Sequence, residues 1–456
     1  MNERELFRHV AEYAADFLDT LPDRPVREQA SAEELYAALG GRLPAEGMDD
    51  HAVLASLVEA ADPGLVASQS GRYFGFVVGA ALPAAVSADW LTSAWDQNAG
   101  GYVLAPSALV VEEVVIGWLA ELLGLPSTVS AAFVTSCQMA HVTALAAARQ
   151  DVLAQAGWDV GQDGLVGAPP IRVVVGEQRH VTIDRALRLL GIGASALSVV
   201  PADDQGRLIV AKLPELDGSP TIVCGQVGEV NTGACDDLDA IADAVEGTGA
   251  WLHVDGAFGL WAAASEQLRH LVHGVERADS WATDCHKWLN APYDSGIAFC
   301  AHPDAHRAAM AVTASYLVHQ DDPRRRDAVN WTPEFSRRAR GFAVYAAIRS
   351  LGRSGIAELV ERCCAHARLF AELLGATSGV TILNDVVLNQ VLVRFGDGET
   401  TRDVIRRVQE DGTCWLGGTE WQGEHAMRIS VSSWRTTEED VERSVAAILA
   451  AAAVPA

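Results

Sequence analysis

Residues 130–300 alternate short apolar runs with segments of helical spacing, and no other feature of this chain constrains its fold as strongly. Four runs are typical of buried strands: IRVVV (171–175), ALSVVP (196–201), PTIVCGQ (220–226) and AWLHVD (250–255). Three segments between them have helical spacing: VTIDRALRLLG (181–191), LIVAKLPEL (208–216) and DDLDAIADAVEG (236–247). This alternation predicts βαβ units, and therefore an α/β fold with a mostly parallel central sheet.

The sequence on either side of this region predicts two further parts. Residues 1–60 contain two amphipathic helical patterns separated by a segment with prolines, and we interpret them as a helical N-terminal arm. The charged stretch HQDDPRRRD (319–327) predicts a mobile loop, after which helical and strand patterns alternate again. We therefore expect the arm (1–60), a large α/β domain (61–318), and the loop with a smaller C-terminal α/β domain (319–456).

Charge and cysteine usage limit the classes of partner and the compartment. The chain has 34 Lys and Arg residues and 60 Asp and Glu residues. Its net charge of −26 repels nucleic acid and anionic membranes. The chain lacks the roughly 18 consecutive apolar residues of a membrane helix, and its start does not resemble a secretory signal. Eight scattered cysteines form no CxxC pair, which favours reduced thiols. We expect a cytoplasmic protein that binds neither nucleic acid nor a membrane.

Two segments carry the side chains that indicate chemistry. HVDGAFG (253–259) places Asp255 at the end of a predicted strand, at the edge where α/β sheets bind ligands. SWATDCHKW (280–288) places Lys287 in apolar and aromatic surroundings, where a lysine is unusual. A desolvated amine can attack a carbonyl, and an aspartate can keep a pyridinium nitrogen protonated. Each residue alone has a plainer explanation, as a turn cap or a loop lysine, but the pair is what pyridoxal phosphate requires.

These motifs resemble those of the group II pyridoxal phosphate-dependent decarboxylases, which include the aromatic amino acid and glutamate decarboxylases. The resemblance covers about residues 60 to 440 and implies the aspartate aminotransferase fold, fold type I. HVDGAFG is similar to the family's HVDAAYG, which implies that Asp255 holds the ring nitrogen and Ala257 lies under one ring face. DCHKW resembles NPHKW, which implies an internal aldimine at Lys287 and a position near the phosphate for His286. Asp284 replaces the family's Asn, and an acid beside a phosphate is unfavourable.

Two further segments match the family's cofactor contacts. RHVTIDRA (179–186) resembles HSSVEKA, which implies that His180 stacks on the other ring face, where it can help to orient the substrate and supply a proton. A surface histidine at a helix start is the alternative. Thr182 is either a helix-start residue or a cofactor contact. GQVGEVNTG (225–233) occupies the place of the family's Gly-Thr-Thr turn; Asn231 is the nearest neutral donor for the cofactor hydroxyl, and Glu229 has no assigned role.

FVTSCQMAH (133–141) occupies the place of the family's glycine-rich SGGSEAN turn, although both glycines are absent. It leads into a predicted helix, whose N-terminus offers free N–H groups and a positive dipole end to a phosphate. The resemblance therefore makes Ser136, Cys137 and Gln138 candidate phosphate contacts. The alternative for Cys137, a redox or nucleophilic thiol, has no paired residue in the sequence.

The substrate pocket of this family includes aromatic N-terminal segments from the dimer. YFGFVVG (73–79) and ADWLTSAWDQN (88–98) resemble them, and the matching candidates are Tyr73, Phe76, Trp90, Trp95 and Asn98. Aromatic residues at such spacing are also typical of a core. Arg428, in MRISVSSWRTTEED (427–440), matches the position of a carboxylate-binding arginine, and a structural salt bridge is the alternative. The resemblance also implies a homodimer.

The sequence departs from the family at the residue that decides the outcome of the reaction. In the family, a loop tyrosine protonates the α-carbon after carbon dioxide leaves; here Ala328 occupies that position, in DAVNW. The simplest prediction is a lyase that decarboxylates an amino acid to an amine, with Tyr293 a possible substitute for the tyrosine. Decarboxylative oxidative deamination or β-elimination on a modified amino acid is the alternative. A protein that keeps the fold as a catalytically silent scaffold is the remote alternative.

No metal is expected. HLVH (270–273) places two histidines three residues apart, but no carboxylate or cysteine pattern completes a site around them.

Overall fold

The computed structural model describes residues 3–312, 322 and 324–453, which form two compact units. The small unit comprises the described residues of Met1–Val78, Leu369–Leu383 and Leu392–Ala456. The large unit comprises the described residues of Gly79–Arg368 and Asn384–Val391. The three-part division predicted at residues 60 and 318 stays a prediction, and residues 319–321 and 323 of the predicted mobile loop lie outside the described residues.

Helices make up most of the regular structure. In chain order they are α1 (Glu3–Thr20), α2 (Ala32–Leu39), α3 (Asp50–Ala61), α4 (Pro83–Trp95), α5 (Pro106–Leu122), α6 (Cys137–Gln155), α7 (Val160–Asp163), α8 (Val181–Leu189), α9 (Leu238–Val245), α10 (Pro303–Met310), α11 (Gly341–Gly375), α12 (Gly398–Asp411) and α13 (Glu438–Ala453). Gly352 interrupts α11, because its φ of 63° lies in the left-handed region that favours glycine. None of the described helices has the length and apolar character needed to cross a bilayer.

The central sheet of the large unit confirms the predicted α/β class. Its strands are β1 (Ser130–Val134), β2 (Arg172–Gly176), β3 (Leu197–Val200), β4 (Thr221–Gln226), β5 (Trp251–Asp255), β6 (Ser280–Asp284) and β7 (Gly296–Cys300). They lie in the order β1-β7-β6-β5-β4-β2-β3, and β7 alone runs antiparallel to its neighbours. All residues of β5, β6 and β7 are buried, as expected for central strands of an α/β fold, and those of the edge strand β1 are buried as well.

The small unit contains a second sheet. Its strands are β8 (Val380–Ile382), β9 (Gln390–Phe395), β10 (Gly417–Trp421) and β11 (Glu424–Ser430), in the order β10-β11-β9-β8. The pairs β10–β11 and β8–β9 are antiparallel. Helix α12 packs against β11 and α13, which gives the sheet its apolar cover.

One predicted helix is wrong. LIVAKLPEL (208–216) forms only a 3-10 turn over Val210–Lys212. Pro214 has no backbone N–H to donate into a continuing helix. Leu208, at the start of this segment, instead forms a β-bridge with Ala202. Its N–H donates to the buried Asp236 carboxylate at 2.7 Å.

The direction of the strands gathers the predicted site at one edge of the sheet. Because β1 and β6 are both antiparallel to β7, they run the same way as each other and as β2, β4 and β5. Their carboxyl ends therefore meet at one edge, the usual ligand-binding edge of such sheets. Asp255 and Asp284 close β5 and β6, and the start of α6 follows β1.

A buried histidine in this unit makes stability depend on pH. His306 Nε2 donates to the Trp331 carbonyl at 2.8 Å, and its Nδ1 lies 2.9 Å from the Ser130 hydroxyl. Burial, aided by Arg326, lowers the pKa of His306 to about 4 from 6.5. Since the folded state binds fewer protons than the unfolded state between these values, we expect acidification from pH 6.5 to about 4 to lower the unfolding free energy.

The measurement is urea unfolding at several pH values, for the wild type and His306→Gln. The variant should lack a pH-dependent contribution of about 3 kcal/mol in this window. His302→Gln is the control: its hydrogen bond to Asp279 raises the pKa of His302, so that contribution is complete below pH 6.5 and is lost above it. Equal acid slopes for the wild type and His306→Gln would contradict the prediction.

Candidate active site

The residues after β6 form a buried ionic cluster around Lys287. Its Nζ lies 3.2 Å from Asp284 Oδ2, and the two side chains are only 20% and 3% exposed. Burial lowers the pKa of Lys287, but the Asp284, Cys137 and Asp255 side chains outweigh it, and the net pKa is raised. The ammonium form is therefore favoured, and the amine must lose a proton before it can attack a carbonyl.

His286 lies next to this cluster with a defined tautomer. Its Nδ1 accepts a hydrogen bond from the Ser295 N–H at 3.1 Å, so the hydrogen is assigned to Nε2. That Nε2 lies 3.6 Å from Asp284 Oδ1. The rings of His286 and Tyr293 are 4.3 Å apart, and Tyr293 is largely exposed. His286 thus presents a donor nitrogen towards Asp284, and its contact with a phosphate stays a prediction.

The N-terminus of α6 is already bonded to an acid. The Cys137 N–H donates to Asp284 Oδ1 at 2.6 Å, while Ser136 takes the N-cap position without a side-chain cap. Gln138 Nε2 donates to the Thr182 carbonyl at 3.2 Å, and Gln138 Oε1 is buried without a hydrogen-bond partner among the described residues. The three predicted phosphate contacts therefore begin this helix.

A close approach of the backbone positions that helix start. A Cβ placed on Gly296, the first residue of β7, would lie 2.4 Å from the Ser136 carbonyl carbon. Only glycine allows this approach. The packing brings the end of β1 against the neighbouring strand and fixes where α6 begins.

Asp255 is buried and held as a carboxylate. Its Oδ1 accepts from the Ala257 N–H at 3.1 Å, and its Oδ2 lies 3.5 Å from His141 Nε2. Burial raises the pKa of Asp255, but His141, His180 and Lys287 together lower it to well below its usual range. A negative charge is therefore maintained at the end of β5, where a pyridinium N–H requires one.

His180 and Thr182 form a pair at the start of α8. His180 is the N-cap residue, and its Nδ1 lies 2.8 Å from Thr182 Oγ1 and accepts from the Thr182 N–H at 3.4 Å. Thr182 therefore acts on the orientation of the histidine ring, and both alternatives left open for it stay compatible with this contact.

Sequence reasoning missed a chain of hydrogen bonds behind Asp255. His141 Nδ1 lies 2.9 Å from His253 Nε2, and His253 Nδ1 lies 2.9 Å from Ser280 Oγ, which also accepts from Trp251 Nε1. Two signals were present in the sequence. His141 follows Cys137 by four residues on α6, and His253 precedes Asp255 by two on β5, so each pair shares one face.

The turn after β4 satisfies its own polar groups. Glu229 accepts from the Asn231 backbone N–H at 2.6 Å, from Asn231 Nδ2 at 2.9 Å and from the Thr232 N–H at 2.7 Å. Burial raises the pKa of Glu229 despite these bonds. Glu229, unassigned from the sequence, thus organises the turn, and a cofactor contact by Asn231 stays a prediction.

Three substrate candidates lie in the large unit. Trp95 is half exposed and packs edge-on against Phe342 at 5.0 Å, and Trp90 is similarly exposed. Asn98 Oδ1 accepts from the Gly100 and Arg337 N–H groups, each at 3.1 Å. Asn98 therefore has a structural task, and the two tryptophans offer apolar surface.

The other three candidates lie in the small unit. Tyr73 is buried and stacks on Trp415 at 5.2 Å, while the exposed Phe76 packs on Trp415 at 5.4 Å. Arg428 lies on β11 opposite Gly417. The substrate roles of all these residues stay predictions.

Ala328, the position aligned with the family's loop tyrosine, lies in a packed turn. It is 5% exposed in the 3-10 turn Ala328–Asn330. Its apolar neighbours are small: Ala99, Ala105, Ala108, Leu109 and Ala339. The methyl group of Ala328 supplies no proton, and the surrounding cluster leaves little room for a phenol there.

The ring end of the site fits pyridoxal phosphate, and the phosphate end fits with one departure. Asp255 can pair with the ring nitrogen, Lys287 offers the amine, and α6 and His286 offer N–H donors. The departure is Asp284, because its carboxylate occupies the Cys137 N–H and would repel a phosphate dianion.

The chain is similar to known proteins over nearly its whole length. Residues 36–395 match the family model described as the pyridoxal-dependent decarboxylase conserved domain. The chain is 25% identical to an aromatic-L-amino-acid decarboxylase of Bacillus atrophaeus, with 96% of this chain and 93% of that protein covered. It is also 25% identical to a 4-hydroxyphenylacetaldehyde synthase of Rhodiola rosea, with 95% and 91% covered.

A solved structure confirms the predicted fold. The crystal structure of Oryza sativa TDC with pyridoxal phosphate and tryptamine superposes with a TM-score of 0.92. The two chains are 23% identical, and the match covers 99% of this chain and 98% of that one. The aspartate aminotransferase fold expected from the sequence is therefore the fold of this chain.

Proposed function

Because the chain belongs to the family of pyridoxal-dependent decarboxylases, we propose that it removes the α-carboxyl group of an amino acid and returns a proton to the same carbon, yielding an amine. Pyridoxal 5'-phosphate is its cofactor, and the enzyme is a lyase. The observation that supports the proposal most is the juxtaposition of the largely buried Lys287, 20% exposed, with two carboxylates, Asp255 and Asp284, at the carboxyl edge of the sheet.

Each side chain has a task that its contacts support. The cofactor, when bound, supplies an electron-withdrawing ring. Lys287 is proposed to bind it covalently through Nζ after passing its proton to solvent, and Asp255 to hold the proton on the ring nitrogen. His180, fixed by Thr182, is proposed to face the ring opposite Ala257. His286 Nε2 and the amide groups of α6 are proposed to bind the phosphate.

Ala328 favours a second candidate for the outcome. With no proton donor at this position, oxygen can intercept the substrate carbon before protonation. The balanced alternative converts the amino acid, one O₂ and one water into an aldehyde, carbon dioxide, ammonia and hydrogen peroxide. The Rhodiola rosea relative, which is as similar to this chain as the Bacillus atrophaeus decarboxylase is, is named 4-hydroxyphenylacetaldehyde synthase, and this supports the second candidate. Tyr293, next to His286, is the nearest phenol proposed to protonate the carbon instead.

The products distinguish the two candidates. We would incubate the loaded enzyme with aromatic and acidic amino acids and measure carbon dioxide, amine, ammonia, peroxide and oxygen consumption. Amine formed in equal amount to carbon dioxide without oxygen consumption supports decarboxylation. Aldehyde, ammonia and peroxide formed with oxygen consumption support the second candidate. Absence of carbon dioxide release with every amino acid overturns both.

The proposal extends to assembly, location and substrate contacts. The family resemblance supports a homodimer, and the reduced cysteines support a cytoplasmic location. Tyr73, Phe76, Trp95, Asn98 and Arg428 are proposed to contact the substrate. Sedimentation equilibrium of the loaded enzyme tests the proposed homodimer. A monomer at micromolar concentration would contradict the dimer.

We expect Asp284→Asn to bind pyridoxal phosphate about 10-fold more tightly than the wild type, equivalent to about 1.4 kcal/mol. Once Lys287 is consumed in cofactor binding, Asp284 loses its partner cation and faces the phosphate with a like charge. An asparagine carbonyl can still accept from the Cys137 N–H. The measurement is titration of cofactor-free protein with pyridoxal phosphate and, separately, with pyridoxal.

The pyridoxal titration is the internal control, because a molecule without phosphate should gain little from the substitution. Asp279→Asn is the matched variant, since Asp279 is an acid of the same unit that pairs with His302. Asp279→Asn should leave both affinities unchanged. An equal gain for pyridoxal and pyridoxal phosphate in Asp284→Asn would refute the electrostatic explanation.

A further inference from the structure

Three buried side chains of different chemistry face one another beneath the cofactor site. Cys137 Sγ lies 3.4 Å from His141 Nε2 and 3.9 Å from Asp255 Oδ1, and His141 Nε2 lies 3.5 Å from Asp255 Oδ2. Thiolate, imidazole and carboxylate are the three ligand types that zinc uses in proteins. The cluster draws on α6 and β5, which the sheet topology brings together.

The spacing between His141 and Asp255 suits an ion better than a direct hydrogen bond, while Cys137 is within sulfur hydrogen-bond distance of both residues. A charge-assisted N–H···O bond is about 2.7–2.9 Å long, so the 3.5 Å between His141 and Asp255 is too long for one. With bonds of about 2.0–2.3 Å, two ligands of a tetrahedral zinc ion lie about 3.3–3.6 Å apart. Two of the three observed separations fall within this range, and the third exceeds it by a few tenths of an ångström.

The hydrogen bonds behind the cluster aim a lone pair into it. His253 Nδ1 lies 2.9 Å from Ser280 Oγ, and in one of its two tautomers this nitrogen carries the hydrogen and donates it to Ser280. In that tautomer His253 Nε2 accepts from His141 Nδ1–H, and His141 Nε2 can offer its lone pair to a metal ion between Cys137 and Asp255. Zinc-ligating histidines usually donate their other N–H in this way.

The local charge also favours a cation. Asp255 lies within the cluster, and Asp284 accepts from the Cys137 N–H at its edge. With the Lys287 ammonium counted, these two carboxylates still leave one negative charge, which a divalent ion bound with a thiolate would neutralise.

We propose that Cys137, His141 and Asp255 bind a zinc ion in the cofactor-free protein, and that metal and cofactor compete for the Asp255 carboxylate. The competition rests on the proposed pairing of Asp255 with the ring nitrogen. Binding displaces the Cys137 thiol proton to solvent, and water fills the fourth position. With a thiolate and a carboxylate, the site is electrically neutral. This departs from the expectation of no metal, because sequence reasoning did not group these three residues.

Cobalt(II) is the probe, because a cobalt–thiolate bond gives a near-ultraviolet charge-transfer band that reports the ligand directly. We would titrate cofactor-free protein with Co²⁺ and then displace it with Zn²⁺. The expected result is one Co²⁺ per chain with this band, its loss in Cys137→Ala, and at least 10-fold weaker binding in His141→Asn. Cys300→Ala, which alters a buried cysteine of the same sheet, should bind as the wild type does.

Two results would overturn the site: absence of the thiolate band in cofactor-free wild type, or its persistence in Cys137→Ala. Cys137→Ser replaces the alanine variant if the latter does not fold, as judged by circular dichroism. Protein loaded with pyridoxal phosphate should bind Co²⁺ at least 100-fold more weakly. Equal Co²⁺ binding by loaded and cofactor-free protein would contradict the competition and leave the proposed decarboxylation unaffected, so the two failures are distinguishable.

Discussion

Lys287→Ala is expected to remove the visible absorbance of the bound cofactor and to lower kcat/KM by about 10⁴-fold or more, at least about 5 kcal/mol of transition-state stabilisation. Nζ of Lys287 is the amine that lies within 3.2 Å of Asp284 and is held near Asp255. Alanine removes both the covalent attachment and the cation. The absorbance spectrum of protein saturated with pyridoxal phosphate, and the initial rate with the best substrate, measure the two effects.

The composition of the chain makes this test unusually direct. The sequence has two lysines, Lys212 and Lys287. Borohydride reduction of the loaded protein should therefore add the cofactor mass to one peptide, the one containing Lys287. Lys212→Ala is the matched control, because Lys212 is exposed in a 3-10 turn and should keep full absorbance and activity. Labelling of Lys212, or an active Lys287→Ala protein, would be incompatible with the assignment.

Lys287→Arg separates the charge from the covalent bond. Arginine keeps a cation near Asp284 but does not attack a carbonyl, since its guanidinium stays protonated. We expect this variant to fold and to bind pyridoxal phosphate weakly, without the visible band. Activity within 10-fold of the wild type would show that Lys287 acts only as a charge.

The sequence predicted those features of the site that depend on neighbours along the chain. Asp255 and Lys287 stand in short motifs, each at the end of a strand or just after it, and the parallel sheet then places them at one edge. The helix start at Cys137 could also be predicted, because a buried strand and a helical pattern flank it.

What the sequence did not predict depends on contacts between distant segments. The bond from the Cys137 N–H to Asp284 joins residues 147 positions apart, and the one from His141 to His253 spans 112. The burial of Ala328 depends on alanines from two separate segments. Helical spacing at LIVAKLPEL was outweighed by Pro214 and by a tertiary bond to Asp236.

Asp255→Asn is expected to lower kcat/KM by about 10³-fold, or about 4 kcal/mol. An amide carries no charge to hold a proton on the ring nitrogen, and an unprotonated ring withdraws electrons weakly from the substrate carbon. Because its pKa lies well below the usual range, Asp255 stays ionised at neutral pH, and its titration should not limit the rate there. Rates and cofactor spectra of wild type and variant across neutral pH measure both effects.

Asp236→Asn is the control variant. It separates the effect of losing any buried carboxylate from the effect of losing Asp255. Asp236 is equally buried, and burial raises its pKa to about 6 even though the Leu208 and Gln226 N–H groups donate to it and lower the pKa in part. Its removal should lower the unfolding free energy and leave kcat nearly unchanged, while Asp255→Asn lowers kcat at similar stability. Equal losses of kcat in the two variants would mean that a buried acid is needed for packing alone. A selective loss in Asp255→Asn ties the rate to the charge at the end of β5, which the cofactor ring and the proposed zinc ion both require.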